Sequence, residues 1–495
     1  MQHRLIRLRP FIGDIDRLSN EDLVIIFRFL NLHDDRPRLE AACLVCTRWC
    51  NVLRANPQFW SATRVILEGE LGRNTKAAQR YLNNMVAALK TCYGRAGRRP
   101  LTLTIFVKVS KSSWPIKLLN NYLVSESNWA RLEFHVENSS GKNPKWLEDL
   151  FQRAMKHHAD SGRPCWPTLQ NLEVDGARTS RLTSGGRDAA SLDFNKICPK
   201  LRDLKFQVVR WELRAEAPFP LASLSRLDFS GRLGATQMTL PVFFHVLRYG
   251  KNLEYLAMLE LGINEEQLPD TSTYPLIHNR LRHLVVADVF NTRLLLDNVA
   301  LPSLTTLELM KMKGRVDLDE IRYHLSISQV IQELFQRSRC TVLNLRVDKI
   351  LDKKGILGLL EISPAIQTLV LRVSPIYDGI LEDVEERDLL PNLRTISFDL
   401  EANRDYQVKY AKAFQAFVES PTRCQHLKMH RFTYGGKFMK YSHWSGDPVP
   451  NMQPPSPQWR GSDLATTQGS LGINEAFFTS SYRSQVLYAR VGSSR

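Results

Sequence analysis

Apolar positions recur along the chain in two rhythms. The first is helical. Leu23, Ile26, Phe27 and Leu30 stand at i, i+3, i+4 and i+7, which predicts one apolar stripe. Ser19 followed by Asp22 has the S-x-x-D form of a capping box, so the helix is expected to start at Asn20. Charge and a proline over 33–37 break the pattern. Two further sets, Leu39, Ala42, Cys43 and Val45, then Cys46, Trp49 and Leu53, predict two more short helices, closed by Asn56-Pro57 and followed by Phe59-Trp60. Three helices in about 43 residues bury little apolar surface by themselves, so one face of this unit is expected to dock on something else.

The second rhythm starts near residue 62 and alternates a period of two with a helical one. Residues 62–67 read as a strand, 75–92 as a helix stopped by 94–100, and 101–107 as a strand. A frame L-x-x-L-x-L, with apolar substitutions, then recurs. It appears as Leu169-Leu172-Val174, Leu201-Leu204-Phe206, Leu224-Leu227-Phe229, Leu253-Leu256-Met258 and Leu281-Leu284-Val286. It continues as Leu304-Leu307-Leu309, Cys340-Leu343-Leu345, Ile366-Leu369-Leu371, Leu393-Ile396-Phe398 and Cys424-Leu427-Met429. Trp129-Leu132-Phe134 is a weaker early copy. The starts lie about 28 residues apart on average, with amphipathic helices expected near 146–155, 241–248, 327–335 and 410–418.

One strand and one helix per repeat resemble the leucine-rich repeat, although the asparagine usual after the strand is mostly missing and the spacing is irregular over 310–366. A doubly wound α/β domain is the competing architecture; its longer buried strands and glycine-rich phosphate turn are not found. Strand alternation sends the frame residues inward and those between them to the opposite, concave side. That face is expected to carry Glu173, Lys205, Arg226, Tyr255, His283, Glu308, Arg346, Arg372, Asp399 and Lys428, with Asp203, Asp228, Asn344, Ser397 and His426 beside them. Its mixed charge suits a protein segment better than a phosphate backbone.

The first stretch, 18–60, resembles an F-box. Leu18, Glu21, Leu23, Ile26, Phe27 and Leu30 match the first half of that family's pattern, and Val45, Cys46, Arg48, Trp49 and Phe59-Trp60 match the second. Ser19 stands where the family has proline, and the turn DDRP resembles the longer turn of fungal members. The resemblance implies docking on the Skp-type adaptor of a cullin-based (SCF) ubiquitin ligase. The anchors it implies are Leu18, Leu23, Ile26, Phe27, Leu30, Val45, Cys46, Trp49, Leu53 and Trp60, some of which must also form the unit's own core. The expected chain is a multi-domain α+β protein: a basic lead-in over 1–17, a small all-α three-helix F-box over 18–64, an irregular α/β leucine-rich-repeat solenoid over 65–434, and a Gly/Pro/Ser-rich, mostly disordered tail over 435–495.

Composition narrows this further. Lysine and arginine number 67 against 51 acids, a formal net charge of +16, in a chain of 495 residues. The excess looks distributed along the sequence, its densest cluster being Arg95, Arg98 and Arg99, so nucleic acid is not the favoured partner. Eight scattered cysteines fit reduced thiols, and the start of the chain lacks the apolar core of a secretory signal, so cytoplasm or nucleus is expected and no membrane. No catalytic motif is found: no G-x-S-x-G, H-E-x-x-H or G-x-G-x-x-G. Cys43, Cys46 and Cys50 read as small buried hydrophobes rather than metal ligands, and no cofactor is expected. The sequence thus points to a non-catalytic substrate receptor that binds the adaptor, through it a cullin, and an unnamed protein target. A repeat scaffold without a ligase role is the alternative, a basic nucleic-acid binder the next, and an enzyme the last.

Overall fold

The computed structural model describes residues 17–30, 32, 36–68, 75–109, 117–138, 145–179, 193–209, 219–229, 238–258, 261–262, 275–287, 292–310, 320–348, 351–373, 378–400, 404–420, 427, 429–434 and 437–438. Within them the chain is mixed α/β, with thirteen α-helices and one large, mostly parallel sheet. It opens on α1 (Asn20–Phe29), α2 (Arg36–Cys43) and α3 (Thr47–Ala55), followed by a 3-10 turn, Pro57–Trp60. The capping box is formed. The Ser19 hydroxyl accepts from the Asp22 N–H at 3.0 Å, and the Asp22 carboxylate accepts from the Ser19 N–H at 2.9 Å. Pro37 sits in the first turn of α2, where the helix needs no N–H, rather than in the break before it. Cys46 lies outside α3 and caps it, its Sγ accepting from the Trp49 N–H at 3.4 Å.

Strands and helices then alternate. β1 (Ala62–Glu68) is followed by α4 (Thr75–Ala96), β2 (Leu101–Val109), α5 (Lys117–Ser125), β3 (Trp129–Asn138), α6 (Lys145–Ser161), β4 (Asn171–Thr179), α7 (Phe194–Ile197) and β5 (Asp203–Val209). The middle of the chain holds β6 (Arg226–Phe229), β7 (Met238–Thr239), α8 (Leu240–Tyr249), β8 (Tyr255–Met258), β9 (Leu261–Gly262), β10 (Leu276–Ile277), β11 (His283–Ala287), α9 (Thr292–Asp297), β12 (Val299–Ala300) and β13 (Thr306–Met310). The remainder is α10 (Glu320–Ser338), β14 (Asn344–Asp348), α11 (Lys353–Glu361), β15 (Thr368–Val373), α12 (Ile380–Glu386), β16 (Thr395–Leu400), α13 (Arg404–Glu419), β17 (Met429–Tyr434) and β18 (Lys437–Phe438). Fourteen of these strands form one sheet in chain order, and only the final pair, β17–β18, is antiparallel. The short strands β7 and β9 pair with each other, as do β10 and β12. α4 outruns its expected stop at residue 92: Gly94 stays helical, and Gly97 takes the left-handed φ of +64° just past the last turn.

The recurring frame forms a spine through this sheet. Leu132, Leu172, Leu204, Leu227, Leu256, Leu284 and Leu307 stand opposite one another, strand by strand. The row continues through Leu345, Leu369 and Ile396, and every member is buried. Two frames move from their expected register. Leu345, not Leu343, pairs with Leu307, so that copy is Val342-Leu345-Val347, all three buried. In the last copy His430, not Leu427, stands opposite Ile396.

A polar ladder runs along the edge from which the strands start. Just before a strand, a Ser, Thr or Asn side chain donates to a carbonyl of the preceding turn: Asn128 to Arg99 at 2.6 Å, Ser223 to Leu201 at 2.7 Å, Asn252 to Ala222 at 2.7 Å and Ser303 to Asn279 at 2.6 Å. These bonds satisfy carbonyls that the sheet itself leaves open. One apolar core runs from Leu23 to Phe417, so the helices of 18–64 and the array beginning at 65 share it. Residues 439–495, nearly all of the expected tail, lie outside the described residues; Lys437–Phe438 pairs with β17. Among the described residues no helix is long and apolar enough to cross a membrane.

Candidate functional site

Two surfaces carry the chemistry. The first belongs to α1–α3. Leu23 and Phe27 point inward with no exposed surface, and Phe27 meets Trp49 edge-on at 5.0 Å between ring centroids. Leu53 and Trp60 are also buried, and the Trp60 indole N–H donates to the Leu53 carbonyl at 2.8 Å. Leu23, Phe27, Leu53 and Trp60 therefore build the unit's own core and are not surface anchors, because an amphipathic helix spends its best stripe on its own interior. Leu18 and Trp49 are half-buried. Ile26, Leu30, Val45 and Cys46 are exposed.

Three apolar residues that the sequence pattern did not single out join them: Ile25 at 62%, Phe29 at 86% and Leu44 at 86% exposure. They fall off the i, i+3, i+4 stripe. The signal for them was the doubling of that stripe as Ile25-Ile26 and Phe29-Leu30, wider than one buried face requires. Beside this patch a groove of about 780 Å³ lies between α1 and α3, lined by Glu21, Val24, Ile25, Arg28, Arg48 and Val52, among others. Its cations are held in place. Arg28 donates to Gln58 at 2.6 Å, while Arg48 donates to Asn20 at 3.1 Å and to the Leu18 carbonyl.

The second surface is the polar face of the sheet. Register brings most of the expected residues into one ladder of alternating charge. Arg226 lies between Asp203 at 3.7 Å and Asp228 at 3.3 Å, and its guanidinium sits 3.8 Å above the Tyr255 ring. Tyr255 packs on His283 at 4.5 Å, and His283 Nε2 lies 2.9 Å from Glu308. Arg346 reaches Glu308 at 3.7 Å and Asp348 at 3.4 Å; Arg372 reaches Asp348 at 3.9 Å and Asp399 at 3.6 Å. Glu173 pairs with Lys205 at 2.7 Å. Lys428 and His426 lie outside the described residues.

The ladder also extends to residues that the sequence pattern missed. Glu133 accepts from Thr104 at 2.7 Å and pairs with Arg131, while His135 faces Glu133 at 3.8 Å and Asp175 at 3.5 Å. The weak copy Trp129-Leu132-Phe134 held the signal, since the same alternation exposes 131, 133 and 135. Burial alone would raise Glu133, but hydrogen bonds from His135 and Thr104 and the charge of Arg131 hold its carboxyl at about 2. Burial would lower His135, but Asp175 and Glu133 lift it to about 9. Burial raises Asp203 and Asp348 against the pull of their arginines. Acids and bases thus neutralise each other across this face, leaving directional donors and acceptors rather than a net field.

Among the described residues no group of three or more His, Cys, Asp or Glu side chains is placed to hold a metal ion. The Cys43 thiol is pushed up chiefly by burial and then by its neighbour Cys50, so it is not primed as a ligand or nucleophile. No family model and no curated protein matches the chain.

Proposed function

We propose that this chain is a substrate-receptor subunit of an SCF-type ubiquitin ligase, as the F-box resemblance of 18–60 implies. The helices α1–α3 dock on a Skp-type adaptor, and the polar face of the sheet holds the protein to be ubiquitinated. The chain does no covalent chemistry itself; it raises the effective concentration of a target near the conjugating machinery in the cytoplasm or nucleus. The observation that carries this reading is the apolar patch of Ile25, Ile26, Phe29, Leu30, Leu44 and Val45. These side chains stay exposed although Leu23, Phe27, Leu53 and Trp60 already fill the core that the helices share with the array, and such patches mark protein interfaces.

The test is co-purification of the full chain with a Skp-type adaptor, beside an Ile25→Asp/Phe29→Asp variant. Both side chains are exposed, so the variant is expected to melt like the wild type while binding the adaptor at least about a hundredfold more weakly, the equivalent of about 2.7 kcal/mol. Folded wild-type protein that ignores the adaptor refutes the proposal. Trp49→Ala is the wrong probe, because Trp49 packs on Phe27 and its loss would unfold the unit.

A further inference from the structure

Part of the charge excess, spread out in sequence, is gathered in space. All strands of the array but the last run in parallel, so every helix-to-strand turn lies along one edge of the sheet. On the four neighbouring strands β5, β6, β8 and β11, the described residues of this edge carry Lys200, Arg202, Lys251, Arg280 and Arg282, all exposed, against one acid among them, Glu254. Backbone hydrogen bonds fix their order. Ser225 N donates to Arg202 O at 2.8 Å, Glu254 N to Ser225 O at 2.8 Å and Arg282 N to Glu254 O at 2.9 Å. Arg202 and Arg282 therefore stand three strand spacings apart, roughly 14 Å.

Lys200 and Arg280 occupy the place in the turn where neighbouring strands keep the ladder residues Ser223, Asn252 and Ser303. Among the described residues neither caps a carbonyl; Arg280 instead donates to the uncharged Asn252 Oδ1 at 2.6 Å. Among the described residues Lys200, Arg202, Lys251 and Arg282 have no ion-pair partner, in contrast with the arginines of the neutralised sheet face.

Apolar surface adjoins the cluster. Tyr249 is 53% and Ile277 63% exposed. The buried His278 ties their two turns together: its Nε2 donates to the Gly250 carbonyl at 3.0 Å and its Nδ1 accepts from the Leu281 N–H at 3.0 Å. A nucleic-acid strand stacks on several flat rings between the cations; of these two exposed side chains only Tyr249 supplies one, and Ile277 supplies none. A polypeptide carrying carboxylates and a large aliphatic side chain meets both features.

We infer that the edge formed by Lys200, Arg202, Lys251, Arg280 and Arg282, with Tyr249 and Ile277, is a binding site for a carboxylate-rich polypeptide segment bearing a large apolar residue. If the receptor reading holds, that segment belongs to the target. The binding itself does not depend on that reading, because none of these residues lies in α1–α3 and adaptor binding is measured separately.

The full chain is titrated, at about physiological salt, into a labelled glutamate-rich peptide containing leucines, the same peptide with glycine for leucine, and labelled single- and double-stranded DNA. The leucine peptide is expected to bind about tenfold or more tighter than the other three probes. Arg202→Glu/Arg282→Glu and Tyr249→Ser/Ile277→Ser are each expected to weaken it about tenfold, whereas Arg98→Glu/Arg99→Glu, further along the same edge, changes it less than about threefold. If charge reversal lowers the melting temperature, Arg202→Gln/Arg282→Gln replaces it, with a loss in the same direction. No peptide binding, equal binding of both peptides, tighter binding of DNA, or equal loss from the Arg98/Arg99 pair overturns the inference.

Discussion

At the scale of single residues, His135 shows what the sheet face does to its side chains. Its ring stacks on Phe106 at 4.5 Å, both nitrogens face carboxylates, and only 13% of the side chain is exposed. The folded state therefore holds the proton from the ordinary value of 6.5 up to about 9. A raised pKa stabilises the fold while the ring is charged. That contribution is fully present below about pH 6.5 and is lost as the pH rises through about 9. It amounts to about 1–2 kcal/mol once the shift is discounted for solvent screening. Glu133, held at about 2, stays ionised across this window. The melting temperature of the wild type is expected to exceed that of His135→Gln at pH 6.5, and the gap is expected to close toward pH 9.5. A gap that stays constant with pH would show that the folded protein holds this proton no more tightly than the unfolded chain does.

At the scale of elements, the polar ladder keeps successive turns in step. Ser223→Ala removes a half-buried donor from the Leu201 carbonyl and is expected to cost about 1 kcal/mol; Ser303→Ala, at an exposed carbonyl, about half that. The two sites are remote from each other, so the double variant is expected to lose the sum in urea unfolding. If neither substitution shifts the urea midpoint, the ladder is ornamental. The ladder was illegible in the sequence, since a Ser or Asn before a strand also fits any turn. The spine was legible, because Leu204, Leu227, Leu256 and Leu284 repeat a spacing that only a buried strand explains. It slipped at Leu343 and Leu427, where nearby leucines imitated the frame and only the neighbouring strand decides register. The helices α5, α7, α9, α11 and α12 escaped notice because each is short. Their apolar residues mostly face a core on several sides, which blurs a single stripe: Ile356, Leu357, Leu359 and Leu360 are all buried in α11. For α1–α3 the apolar positions were readable, but which of them turn outward was not. The stripe of Leu23 and Phe27 and the doubled row of Ile25, Ile26, Phe29 and Leu30 look alike until the partner helices are in place.

At the scale of the molecule, α1–α3 have a second task that bears on any attempt to isolate their role. Stacked strand–helix units bury their apolar faces on each other, so the end of a stack needs a cover. At the β1 end that cover is the 3-10 turn after α3. Phe59 and Trp60 are buried, the Trp60 carbonyl accepts from the Cys92 thiol at 3.6 Å, and the Arg95 guanidinium lies 4.5 Å over the Trp60 ring. Removing residues 1–60 would expose the α4 side of the core and leave β1 as an uncovered edge strand. A chain beginning at Ser61 is therefore expected to melt lower and less cooperatively than the full chain. Amide-exchange protection should fall first in β1, α4 and β2 and remain in β14–β16. By contrast, Ile25→Asp/Phe29→Asp changes two largely exposed side chains and should preserve both midpoint and slope. Loss of the proposed target after truncation would then report damage to the array as much as loss of the proposed adaptor, and only the surface variant separates the two. If the chain beginning at Ser61 matches the full chain in midpoint, slope and exchange pattern, the helices are an appendage rather than a cap, and truncation becomes a clean test of adaptor binding.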